Sequence, residues 1–109
     1  MDGIQIIGIK ELDEQEVALV NKLASDAKEK LARDLHNITS LVVHIKTSHN
    51  EGNRKRYEVK SRVVAPTRVF ESSENDWDLA RTLHATFNAL RKEIQHSFHA
   101  DNQHPKSYD

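Results

Sequence analysis

Apolar residues in this chain follow two different periods. From Val17 to Leu35 they recur in steps of three and four, at Val20, Leu23, Ala24, Ala27, Leu31 and Leu35. The same spacing returns at Leu79, Ala80, Leu83, Phe87, Leu90, Ile94 and Phe98. Between these stretches the period drops to two. Leu41, Val43 and Ile45 alternate with Ser40, His44 and Lys46, with Val42 an apolar exception, and Tyr57, Val59 and Val63 alternate with Arg56, Glu58, Lys60 and Arg62. A step of three or four marks a helix with one apolar stripe, and a step of two marks a strand with one apolar face. Elements that are apolar on one side only must bury those sides against each other. The pattern therefore predicts two helices covering one face of a sheet, whose other face meets water or a partner.

Local signals mark the borders. The isoleucine-rich segment 4–12 predicts a short first strand. Asp13, with Glu16 three residues on, has the spacing of a capping box and opens helix one. Segment 36–40, with Asn37 at the helix C-terminus, ends it, and a second strand follows over 38–48. Residues 49–54, around Gly52, predict a hairpin turn into the strand that ends at Val64. Pro66 breaks that strand, because proline cannot donate to a ladder. A short strand over 68–73 and a cap at Asp76 or Asp78 lead into helix two. The expectation is an α+β fold: a β-α-β-β-β-α two-layer sandwich, with a four-stranded, largely antiparallel sheet. One domain spans 1–100, and 101–109 is a flexible polar tail.

Composition narrows the functions open to such a domain. The 109 residues contain no cysteine, which excludes disulfides, thiolate metal sites and cysteine nucleophiles. No apolar run approaches the ~20 residues of a membrane span. The start of the chain is acidic and lacks a signal-peptide pattern, so the protein is expected in the cytoplasm. With three glycines there is no phosphate-cradling loop, and no Ser/His/Asp grouping stands out. No enzyme, cofactor or small-molecule substrate is expected. His96 and His99, with His104 nearby, lack a carboxylate to complete a metal motif.

Charge is more informative than its total. The formal net charge is −1, yet residues 38–69 hold seven Lys/Arg against two Asp/Glu. Residues 70–79 hold four acids and no base. A polyanion responds to the local patch as well as to the sum. The strand row Arg56, Lys60 and Arg62, with Arg54 and Lys55 in the preceding loop, is thus a candidate phosphate-contacting surface. The competing account is a solvated sheet face with edge cations that deter aggregation.

The element order, together with "RKRYEVKSRV" (54–63) and "DWDLARTLHATFNALRKEIQHSF" (76–98), resembles the family of hibernation-promoting factors and ribosome-associated inhibitors. Asp78, Leu79, Leu83, Leu90 and Ile94 match that family's aspartate-plus-aliphatic spacing. The pattern departs from the family at Ala80, where an aromatic is common, and at His84 and Ala89. The resemblance implies a fold like that of double-stranded-RNA-binding domains, in a short, single-domain form. It implies docking on the small ribosomal subunit, contact with ribosomal RNA, and occlusion of the subunit during stress-induced hibernation.

Further candidates lie on the helices. Arg81, His84, Asn88, Arg91 and Gln95 form one exposed stripe of helix two, flanked by Lys92 and His96. An RNA-facing ridge and an ordinary polar helix face both fit it. On helix one, Lys22, Lys28, Lys30 and Arg33 are weaker candidates, because Asp26, Glu29 and Asp34 stand at pairing distance along the helix. Trp77, at the start of helix two, fits a lid on the core better than a base-stacking platform. The rival to RNA binding is a protein-interaction module or homodimer using the open sheet face, where Val42 and Val64 lie.

Overall fold

The computed structural model describes residues 3–35, 40–49, 54–66 and 68–103, of which the side chains of 34, 49 and 98–103 are not described. The elements are β1 (Ile4–Ile7), a short 3-10 turn (Ile9–Glu11), α1 (Glu14–Leu35), β2 (Ser40–His49), β3 (Lys55–Val64), β4 (Val69–Asp76) and α2 (Leu79–Gln103). The sheet order is β1-β2-β3-β4. β1 runs parallel to β2, and the other two pairings are antiparallel. The β-α-β-β-β-α order and the largely antiparallel sheet agree with the sequence reading.

The core is made largely of the residues whose period predicted it; Phe70 joins it from outside those periods, Ala80 is only half-buried, and the side chain of Phe98 lies outside the described residues. Val20, Ala24, Ala27 and Leu31 come from α1, and Leu79, Leu83, Phe87, Leu90 and Ile94 from α2. Leu41, Val43, Ile45, Tyr57, Val59, Val63 and Phe70 come from the sheet. α2 lies over β3 and β4 and packs along α1, while α1 covers β1. Leu23 and Leu35 only flank the core, as do Ile4 and Ile6 of the edge strand. Two threonines and a serine join it. Ser61 Oγ and Thr86 Oγ1 share a buried hydrogen bond of 2.9 Å, and Thr82 Oγ1 donates to the Asp78 carbonyl at 2.6 Å. Each hydroxyl has a partner, which removes most of the cost of burying it.

Three borders differ from expectation, each for a local reason, and the cap of α2 falls on one of its two candidates. β1 stops at Ile7 rather than running to residue 12. Gly8 takes φ 94°, and a Cβ there would collide with the Ile45 carbonyl oxygen, so glycine allows both the turn and the close approach to β2. β4 extends to Asp76 instead of ending at 73. Its polar run has no alternation to signal a strand, and pairing with β3 through Tyr57↔Asp76 holds it extended. Asp78, not Asp76, caps α2: its Oδ1 accepts the Arg81 N–H at 2.9 Å, and its carbonyl starts the helical ladder at Thr82. Asp76 instead accepts the Trp77 N–H at 2.6 Å. α2 continues through 103, past the expected limit of 100, and the next breaker in the sequence is Pro105. Asn37, the 50–53 turn with Gly52, and the tail from 104 lie outside the described residues.

Candidate nucleic-acid interface

The predicted cations divide between two opposite faces of the slab. Arg56, Lys60 and Arg62 stand on the open sheet face, while Lys22, Lys28, Lys30, Arg33, Arg81, His84, Arg91 and Lys92 belong to the helical layer.

On the open face, alternation sets the rows and register sets the neighbours. Lys60 lies between His44 on β2 and Ser73 on β4, and Arg62 between Val42 and Glu71. Glu58 lies between Lys46 and Asn75. The outward side chains of β2, β3 and β4 thus include four cations, Lys46, Arg56, Lys60 and Arg62, against Glu58 and Glu71. Arg62 Nε approaches Glu71 Oε2 at 3.7 Å with both side chains more than half exposed, a pair that adds little and is easily exchanged. Ile7, Val42, His44, Lys60, Arg62, Glu71 and Ser73 line one trough across these strands. Lys46 and His44 were readable as outward residues of β2. Only the register shows that they extend the β3 row.

Lys55 does not belong to this row. It begins β3 on the inward parity, and its Nζ meets Glu16 Oε1 at 3.1 Å. The same Glu16 accepts a hydrogen bond from the Tyr57 hydroxyl and closes the capping box with Asp13, whose N–H reaches Oε1 at 3.0 Å. Burial opposes ionisation of Glu16. The hydrogen bonds from Tyr57, the Asp13 N–H and Lys55, with the charge of Lys55, outweigh it and hold the carboxyl below its ordinary value. The hydrogen bond to Glu16 in turn raises Lys55, against the effect of desolvation. Burial raises Tyr57, and its bond to Glu16 adds to this. Lys55 therefore fastens the start of α1 to β3.

The helical layer sorts its candidates by direction. Lys22, Asp26, Lys30 and Arg33 follow one another at steps of three and four on α1. Asp26 and Lys30 from this row meet His84, Asn88 and Arg91 of α2 around a hollow of about 70 Å³ between the helices. That volume is far below the roughly 300–1,000 Å³ of small-molecule sites, and suits a group no larger than a phosphate. Its polar lining includes the carboxylate of Asp26 as well as the cations. Lys28, on the flank away from this row, is half-buried. Lys92 turns toward the β4 edge, near Val69, Phe70, Glu93 and His96. Arg81 sits at the start of α2 with Asp76 at 3.4 Å and Asp78 at 3.9 Å, so its charge is largely answered within the chain.

Trp77 is not a lid on the core. It is 37% exposed, with the Arg54 guanidinium carbon 4.3 Å and that of Arg56 5.5 Å from its ring centroid. Arg56 also donates to Asn75 Oδ1. Among the described residues no group of three or more His, Asp or Glu side chains is placed to hold a metal ion. No helix among them is long and apolar enough to cross a membrane.

Solved structures share this architecture. A ribosomal subunit interface protein from Coxiella burnetii superposes with a TM-score of 0.66 at 12% identity, over 87% of this chain and 96% of that one. The N-terminal domain of Protein Y from Thermus thermophilus gives a TM-score of 0.56 at 18% identity, over 88% of this chain and 98% of that one. The chain has their fold. That agrees with the fold expected from the resemblance to hibernation-promoting factors. No family model matches the sequence, and no curated protein does.

Proposed function

We propose that this chain is a non-enzymatic, RNA-binding regulator of translation. It docks on the small ribosomal subunit in the cytoplasm, contacts ribosomal RNA through phosphates, and occludes the subunit sterically. The observation that carries this reading is the convergence of Lys30 from α1 with His84, Asn88 and Arg91 from α2 on one hollow of phosphate size. Residues more than fifty positions apart in sequence line the same hollow, and Lys, Arg and Asn side chains are among those that make phosphate contacts. Support comes from the fold, shared with proteins of which one is described as a ribosomal subunit interface protein. The open-face cations form a second, separate surface for the same kind of contact.

Co-sedimentation with ribosomes and with separated subunits, at low and moderate salt, tests the proposal. Phosphate contacts release counterions, so binding is expected to weaken by orders of magnitude between about 50 and 200 mM salt. The protein is expected to follow the small subunit. Salt-insensitive binding, or none at low salt, overturns the reading.

A second reading, a protein-interaction or homodimer surface on the open sheet face, draws on apolar side chains left uncovered there. Ile7 is 41% and Val69 49% exposed, and Val42 shares the trough with Ile7. Concentration-dependent self-association that is abolished by Ile7→Ser and Val69→Ser, without ribosome binding, would favour it.

A further inference from the structure

We propose that Trp77, with Arg54 and Arg56, forms a stacking site for an unpaired nucleobase, so that the protein engages a single-stranded segment in addition to the phosphate backbone. This rests on the RNA-binding reading above and specifies which RNA feature the corner of the molecule takes.

Trp77 occupies the junction between β4 and α2, outside the hydrophobic core. Its backbone is fixed on both sides. Its N–H bonds to Asp76 Oδ1 at 2.6 Å, and the next residue, Asp78, caps α2. The exposed indole thus sits in a two-residue connection whose backbone is tied to β4 and α2 on either side. The two guanidinium groups lie against the ring at 4.3 and 5.5 Å. Nothing in core packing calls for an indole here, because the ring stays more than a third exposed. Cation–π contacts at an exposed site contribute only modestly to stability. The arrangement gains a purpose when a fourth planar group is added. Indole and guanidinium are both surfaces on which bases stack, and guanidinium also pairs with the phosphate beside the base.

The class of ligand follows from access. In an RNA duplex the faces of the bases are closed within the stack, and the deep major groove does not admit side chains. A flat ring at a corner can use only a base that is unstacked or in a single strand. Arg54 and Arg56 are the cations against the ring, the flanking Asp76 and Asp78 are paired with Arg81, and the site continues into the open-face row through Arg56, so a phosphate chain leading to the base is accommodated on the Arg54–Arg56 side. β4 is an edge strand and ends at this corner, but the residues there, Arg54, Arg56, Asn75, Asp76 and Arg81, are polar or charged and offer the apolar side chains of a peptide nothing but the indole.

The chain has a single tryptophan, so indole fluorescence, excited at a wavelength its two tyrosines do not absorb, reports on this site alone. The probes are a short oligouridylate and a blunt RNA duplex with the same number of phosphates. Oligouridylate is expected to quench Trp77, whereas the duplex binds with little quenching. Trp77→Ala is expected to weaken oligouridylate binding roughly 5- to 100-fold and leave duplex affinity unchanged. Trp77→Phe, which keeps a stacking ring and guards against a folding defect, restores most of the loss. Equal quenching by both RNAs, or unchanged oligouridylate affinity in Trp77→Ala, overturns the inference. If the duplex and ribosomes bind while oligouridylate leaves the fluorescence unchanged, the inference falls and the RNA-binding reading stands. If no RNA binds, both fall. Quenching by RNA-free ribosomal proteins, and not by oligouridylate, overturns it in favour of a protein contact.

Discussion

One carboxylate, Glu16, ties two parts of the molecule together through three residues. It closes the capping box with Asp13, receives the Tyr57 hydroxyl and pairs with Lys55, so the first turn of α1 is anchored to the first turn-ward residues of β3. The sign of the pH response follows. The folded-state carboxyl lies below its ordinary value of 4.5, so its contribution is fully present above that value and is lost as pH falls below it. Lys55 and Tyr57 are raised, so their contributions are present below their ordinary values of 10.5 and 10.0 and are lost as pH rises past the folded-state values. Glu16→Gln is expected to lower the urea midpoint near neutral pH, and the gap to the parent protein should close progressively below pH 4.5. A constant gap across that range would mean that the ionised carboxylate is not what stabilises the junction.

At the scale of elements, α2 carries the load. Its stripe supplies five core side chains and closes the sheet over β3 and β4, and its Ser61–Thr86 bond fixes its rotation against β3. Leu83 is fully buried. Leu83→Ala is expected to cost about 2–5 kcal/mol, the range found for large apolar truncations in packed cores. Denaturant melts of the variant measure it, and a loss below about 1 kcal/mol would mean that the site relaxes to fill the space. β4 illustrates the opposite dependence. Only Phe70 of its side chains is buried, so its extended form comes from the ladder with β3 rather than from its own composition.

The whole molecule is a slab with Cα extents of 58 × 31 × 17 Å, thin in one direction. A layer of helices and a layer of sheet put the two cationic surfaces on opposite sides. At about 0.1 M salt the Debye length is roughly 10 Å, shorter than that thickness, so the faces act on RNA as separate sites. Replacing Lys30, Arg33, His84 and Arg91 with glutamine is expected to weaken ribosome binding strongly and to make its salt dependence shallower. Replacing Lys46, Lys60 and Arg62 is expected to have the smaller effect, because Glu58 and Glu71 already offset that row. Most of these positions are exposed, where a polar replacement changes stability by about 0.5 kcal/mol or less, and thermal melts of both variants check that the fold is kept. If the sheet variant loses binding and the helix variant does not, the docking face is the sheet.

The sequence by itself determined the elements and their buried sides. The two periods placed the stripes of α1 and α2 and the inward rows of β2 and β3, because burying one side of an element is a local, repeating requirement. It also determined the Asp13/Glu16 capping box, which needs only residues three apart. It did not determine where β1 and β4 end, since a glycine's close approach to Ile45 and a ladder with β3 are contacts between distant segments. The interface was split in the same way. That Lys60, Arg62, His84 and Arg91 point outward was legible from parity and helical spacing. That Lys55 is committed to Glu16, that Lys30 meets His84 and Arg91, and that Trp77 lies exposed under two arginines was decided only by the tertiary structure. Periodicity reports which side of an element faces the solvent, and only packing and register decide which residues from different elements share that solvent-facing space.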